Sequence, residues 1–211
     1  MKRLGTVCVL LFFTLIANAQ QGLPKFQAGV RFGYNYASFS ELKNSDLLTI
    51  DRNRFVMAGA FAQVRVLKKF GLRAELLYNP QGALVNYYDS NNVKVEAIRK
   101  LSYTDITLSA IYNFRVLKFV GVYAFAGYNY SSLSSVKDAV QQPYTNTQTI
   151  TDRFEKNSSG LIGGLGIRMR VSNINILPEV RYLYGLTDVE KNNSIAKNRV
   201  FTASLGVSVT L

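Results

Sequence analysis

Arg31, Arg65, Arg73, Arg168, Arg170 and Arg181 share a spacing rule with Glu75 and Glu179. Each sits in a run whose alternate residues are apolar, on the face that those apolar residues leave free. Asp105 enters the same set from the start of another such run. Guanidinium and carboxylate groups gathered in an enclosure have two uses. They neutralise one another through bidentate pairs and fill the space with a rigid charge network. Alternatively, with cations in excess, they favour anions along a narrow wet path. Packing is the favoured reading, because a barrel of eight strands has room inside only for side chains. Folding the chain back at 172–173 puts Arg168 diagonal to Glu179, within reach of a bidentate contact.

Other chemistry lacks the residues it needs. The sequence has no histidine, and its one cysteine, Cys8, lies in a segment expected to be removed, so thiolate or imidazole metal sites, disulfides and His-based triads are excluded. Asp46 with Asp51 and Asp152 with Glu155 are carboxylate pairs in polar connections, with nothing beside them to make one an acid and the other a base. The glycine-rich stretch 160–166 leads into an extended run and lacks the lysine of a phosphate-binding loop. The expectation is a non-enzymatic protein with no cofactor and no metal.

Eight runs must position the charges: 25–37, 54–66, 71–88, 101–114, 119–131, 160–171, 174–185 and 199–211. In each, the more apolar register carries no charge. It reads Phe26, Ala28, Val30, Phe32, Tyr34, Tyr36 in the first and Phe201, Ala203, Leu205, Val207, Val209, Leu211 in the last. A period of two marks a strand with unlike faces. Apolar residues outward with arginines inward is the arrangement of a barrel in lipid, and Gly29, Gly33, Gly59, Gly121, Gly127, Gly164, Gly166 and Gly206 on the inward register give the arginines space. Most runs reach the ~9 to 11 residues that a tilted strand needs to cross the hydrocarbon.

Connections 67–70, 115–118 and 172–173 are short, whereas 38–53, 89–100, 132–159 and 186–198 are long and polar. Short periplasmic turns and long outer loops follow. That orientation brings Tyr34, Tyr36, Tyr128, Tyr130, Tyr182 and Tyr184 to the outer strand ends and Phe26, Tyr112 and Phe114 to the inner ends, forming two aromatic girdles. The predicted fold is all-β: a single eight-stranded antiparallel up-and-down transmembrane β-barrel. Pro80, after Asn79, and Pro178 each predict a bulge or distorted rim. The longest loop, 132–159, is rich in Gln, Thr and Asn and holds Tyr144 and Phe154, a composition suited to carbohydrate or protein contact and equally to plain solvation.

Residues 1–19 read as a signal peptide, with Lys2 and Arg3, an apolar stretch 4–16 and the small-x-small site Ala17-Asn18-Ala19, leaving 20–211 as the barrel domain. Loss of Lys2 and Arg3 takes the formal charge from +12 to +10. No nucleic-acid recognition pattern accompanies that excess, so outer-membrane lipid and lipopolysaccharide phosphates are its expected partners. Alternating apolar residues running to Leu211 resemble the signal read by the barrel-assembly machinery, although the usual ending is aromatic.

Two Glu-x-x-Tyr cores extend this into a family resemblance. They are Ala74-Glu75-Leu76-Leu77-Tyr78, followed by Asn79-Pro80-Gln81-Gly82, and Pro178-Glu179-Val180-Arg181-Tyr182, followed by Tyr184-Gly185-Leu186. Together with Gly29-Val30-Arg31-Phe32-Gly33-Tyr34-Asn35-Tyr36, Tyr103-Thr104-Asp105-Ile106 and Gly163-Gly164-Leu165-Gly166, the chain resembles the PorT-type outer-membrane β-barrel family of Bacteroidetes. Tyr103-Thr104-Asp105-Ile106 departs from that family's Tyr-Leu-Glu-Ile-Pro. The resemblance implies an eight-stranded barrel in a Gram-negative outer membrane and, through founding members associated with secretion, a secretion or surface protein as partner. The resulting expectation is an envelope-structural or partner-binding barrel, with a small anion-favouring pore or solute-binding barrel as the alternative.

Overall fold

The computed structural model describes residues 26–40, 48–88, 93–115, 120–142, 146–149, 154–188 and 197–211. The segment 1–19, Asp46, Tyr144 and Asp152 lie outside the described residues. The strands are β1 (Phe26–Ser40), β2 (Leu48–Arg65), β3 (Phe70–Tyr78), β4 (Gln81–Tyr88), β5 (Lys94–Arg115), β6 (Val120–Gln142), β7 (Asn146–Thr149), β8 (Asn157–Val171), β9 (Ile174–Gly185) and β10 (Lys197–Thr210).

All pairings are antiparallel, and they close. β1 pairs with β2 on one side and with β10 on the other, from Gln27 opposite Thr210 to Ser40 opposite Lys197. β3 and β4 are two halves of one crossing, because both lie between β2 and β5, while β7 is a short outer strand on the far end of β6. The ring therefore has eight crossings and no free edge through the bilayer. Among the described residues no helix is long and apolar enough to cross a membrane.

Alternation decides which face meets lipid. On β1, Phe32 and Tyr34 are 59% and 66% exposed, whereas their neighbour Arg31 is fully buried. The last strand repeats the pattern, with Phe201, Leu205, Val207 and Val209 outward and Thr202 and Ser208 buried.

The two prolines behave differently. At Asn79-Pro80 the third crossing breaks, and its register against β2 slips by one residue while that against β5 is kept. Gly82 closes the break at φ 138°, where an added Cβ would lie 2.0 Å from the Arg99 carbonyl oxygen, so the position demands glycine. Pro178 produces no bulge, contrary to expectation: β9 stays in register with β10 through Leu205 opposite Pro178, and keeps the same register with β8 on both sides of a gap in that ladder. The missing N–H of proline is absorbed as lost pairing rather than as an extra residue.

The outer connections are shorter than the sequence indicates, since β2 begins at Leu48, β5 at Lys94, and β6 runs on to Gln142. Shifts in the β5–β6 register, between Ser102 and Tyr103 and between Glu96 and Ala97, leave Ser134 and Gln141 of β6 unpaired and reverse the phase of β6 at each. On this side the wall of the barrel projects well beyond the length needed to cross the bilayer.

Candidate functional site

The lumen is built in layers. At its centre, β1 contributes Arg31, β3 Arg73 and Glu75, and β9 Glu179 and Arg181, all buried. Alternation makes each pair on β3 and β9 point the same way. Arg31 stands opposite Gly59 on β2 and Gly206 on β10, so neither neighbouring strand puts a side chain in its path.

Arg31 Nε donates to Glu75 Oε1 at 3.0 Å and its terminal nitrogens reach Glu179 Oε2 at 3.3 Å and Ser204 Oγ at 3.0 Å. Arg73 donates to both Glu179 oxygens at 2.7 and 3.4 Å. Arg181 forks onto both Glu75 oxygens at 3.0 and 3.2 Å and also donates to Glu179. Tyr123 Oη donates to Glu179 at 2.8 Å. Each carboxylate is thus held by several guanidiniums, and the guanidiniums lie over rings: Arg31 is 5.0 Å from the Phe61 centroid and Arg73 is 4.5 Å from that of Phe125.

Three predicted members lie elsewhere. Arg168 does not reach Glu179, because the Tyr123 ring fills the space left by Gly166, directly across the β6–β8 pair, and takes up the carboxylate itself. Arg168 lies over that ring at 5.5 Å and donates to Asn113 Oδ1 at 2.7 Å. Arg170 donates to Asn175 Oδ1 at 3.4 Å, and Arg65 stands at the periplasmic end of β2. Together they form a separate cationic group at the periplasmic mouth.

Asp105 is also apart from the arginines. It is buried among amides and hydroxyls, accepting from Asn79 at 2.5 Å and Asn129 at 3.1 Å. Asn35 donates to Asn79 Oδ1 and to the Pro80 carbonyl, and Thr202 donates to Asn35, so the break in the third crossing is tied to β1 and β10 across the lumen. This amide layer had no signature in the sequence beyond polar residues on the inward register.

Ala37, Val200, Leu183 and Ile162 form a buried apolar row towards the outer end, and Phe55 belongs to the same cluster. Beyond it, Leu101, Tyr103, Val136, Ala83 and Phe154 make a second buried cluster in the projecting wall. Phe154 is therefore core, not a contact residue, and Arg99 lies over its ring at 5.7 Å.

The predicted girdle residues face outward at both ends. Tyr34, Tyr36, Tyr128, Tyr130, Tyr182 and Tyr184 are exposed near the outer ends, joined by Tyr78, and Phe26 and Phe114 near the inner ends. Tyr112 is half-buried because it stacks edge-on against Phe114 at 4.7 Å and against Phe70 at 4.9 Å. Phe70 and Tyr78 were legible only once strand ends were known.

A family profile described as the outer membrane protein beta-barrel domain matches residues 18–191. No curated protein matches. Among solved structures, Neisserial surface protein A is 20% identical with a TM-score of 0.53, covering 88% of this chain and 97% of its own. OprG of Pseudomonas aeruginosa is 13% identical, TM-score 0.49, covering 89% and 95%. The outer membrane protease OmpT of Escherichia coli is 10% identical, TM-score 0.42, covering 89% and 97%.

Proposed function

Because the chain belongs to the outer membrane protein beta-barrel domain family, and so to the bacterial outer membrane, we propose that it is a non-enzymatic barrel with an envelope-structural or partner-binding role. The observation that carries this reading is the filling of the lumen. The charge network, the amide layer and the apolar row succeed one another along the axis, and the cleft at the periplasmic mouth, lined by residues including Gln27, Gln63, Asn113 and Arg168, has a volume of only about 10 Å³, room for about one water. A closed lumen leaves the projecting outer wall as the surface for a secretion or surface protein.

The absence of histidine and cysteine from the barrel supports the non-enzymatic reading. The finer placement, as a PorT-type protein of Bacteroidetes made with a signal peptide 1–19 and inserted by the barrel-assembly machinery, rests on the motifs and the leader pattern in the sequence. Lipopolysaccharide is its proposed lipid partner at the outer rim.

Planar-bilayer recording of the purified protein tests the role. Silence is expected; steady anion-selective steps would instead support a small pore, the reading that the cation excess of the lumen favours. Pull-down from native membranes, with the wall intact and with β7 deleted, then tests whether a partner binds there.

A further inference from the structure

We propose that the periplasmic mouth is an oxyanion site, in which Arg65, Arg168 and Arg170 bind a phosphate group. Arg65 on β2 and Arg168 on β8 line one cleft, and Arg170 follows Arg168 on the same face of β8, so three like charges gather at this rim. The central network answers its arginines with two glutamates, but the mouth has no such answer. Among the described residues, no carboxylate pairs with any of the three. Their acceptors are neutral: the Asn113 side chain for Arg168 and the Asn175 side chain for Arg170.

The amides at the mouth are themselves committed. Gln63 donates to Gln27, Asn113 to the Lys69 carbonyl at 3.1 Å, and Asn175 to Thr210 at 2.9 Å. Each amide is thereby oriented, and the oxygens of Asn113 and Asn175 are turned to the arginines. Arg168 lines the cleft, and its Nε remains buried without a hydrogen-bond partner. Like charges that crowd together without acids lower their mutual repulsion by taking up an anion, and a fork of N–H donors matches phosphate oxygens.

The surroundings reinforce the sign. In sequence, the three connections at this end, 66–69, 116–119 and 172–173, hold Lys68, Lys69 and Lys118 and no acid. The inner aromatic girdle of Phe26, Phe70 and Phe114 sets this rim at the level of the inner-leaflet headgroups. The cleft admits about one water, so the phosphate binds across the opening rather than within the lumen. The group comes either from an anionic phospholipid headgroup or from a free periplasmic phosphate.

Unfolding midpoints of the full barrel test this in two arms: in micelles with inorganic phosphate against sodium chloride of equal ionic strength, and in phosphatidylcholine vesicles with and without phosphatidylglycerol. The expected result is a saturable rise of a few degrees in at least one arm, lost in Arg65→Gln/Arg168→Gln and retained in Arg54→Gln at the outer rim. A rise with phosphate alone identifies a soluble source, and a rise with phosphatidylglycerol alone a lipid one. No rise beyond the salt control in either arm, or an equal rise in the double variant, overturns the proposal. If the double variant does not fold, NMR of Arg168 Nε–H in the unaltered protein decides: a saturable shift with phosphate or with phosphatidylglycerol supports the site, and no shift with either overturns it. Conductance plays no part in these readouts, so the site can fail while the closed-barrel role stands.

Discussion

β5 passes through two solvents, and its composition reverses between them. Within the bilayer its inward residues are Asp105, Thr107 and Ser109, all buried, and its outward residues include Ile106 and Leu108, both exposed. Further out, the inward positions are Leu101 and Tyr103, buried against Val136 and Phe154, while Lys100 stands opposite Lys137, which is exposed. The strand geometry is the same throughout. What changes is the medium outside the wall: lipid demands an apolar outer face and leaves polar groups to pair inside, whereas water permits the ordinary apolar core.

The largest effect separating the two regions is expected from the charges. Glu179→Gln leaves Arg31, Arg73 and Arg181 with one carboxylate among them in a buried site, and a broken buried network of this kind costs about 3–5 kcal/mol. Urea unfolding in micelles should register the loss for the whole barrel, with conductance unchanged. Altered ion flow at unchanged stability would mean that the glutamate lines a path. Phe154→Ala removes the ring that fills the outer core and should cost about 3 kcal/mol. Hydrogen exchange should show that loss confined to the ends of β5 and β6 beyond Ser102 and Leu133, with the crossing half as protected as before; a barrel that melts as one unit would erase the distinction.

A third change probes the outer surface alone. Leu108→Arg places a charge against acyl chains and should cost about 2–4 kcal/mol, whereas Lys137→Leu in the projecting wall should stay within about 0.5 kcal/mol. Spin labels at Val30 and Val207 should likewise report hydrocarbon. Equal penalties at positions 108 and 137 would place both in one solvent.

The same contrast explains what could be read from the chain. Arg31, Arg73 and Glu75 declared their face because period-two alternation with a charge-free register has one explanation in a strand that meets lipid. The outer wall offered no such signal. Its polarity is reversed, and the unpaired Ser134 and Gln141 break the phase of β6, so 132–142 reads as polar loop and Phe154 as a loop aromatic. Pairings within the lumen were legible only in part. Arg168 and Glu179 do lie diagonal in the β8–β9 register, but Tyr123 arrives from β6 opposite Gly166 and separates them. A glycine facing a large aromatic is the signal that would have found it, and it needs the register first.

The smallest expected effect sets the two groups of arginines against each other. Arg168→Gln removes a side chain that is half-buried, bonded to the Asn113 amide and set beside the like charges of Arg65, across the cleft, and Arg170, next on the same face of β8. Relief of that repulsion offsets the lost hydrogen bond, so without phosphate the change in stability should be below about 1 kcal/mol. Its sign should also follow salt: near 0.01 M the Debye length is about 30 Å and the repulsion is least screened, so the variant should gain relative to the unaltered barrel as salt is lowered. Glu179→Gln should respond weakly, because its charges are enclosed by protein. Unfolding midpoints of both variants across a salt series measure this. A strong, salt-independent loss in Arg168→Gln would join the mouth to the central network, whereas a salt-dependent Arg168→Gln beside a salt-insensitive Glu179→Gln separates an interior of paired charges from a cationic rim that draws its counter-charge from outside the chain.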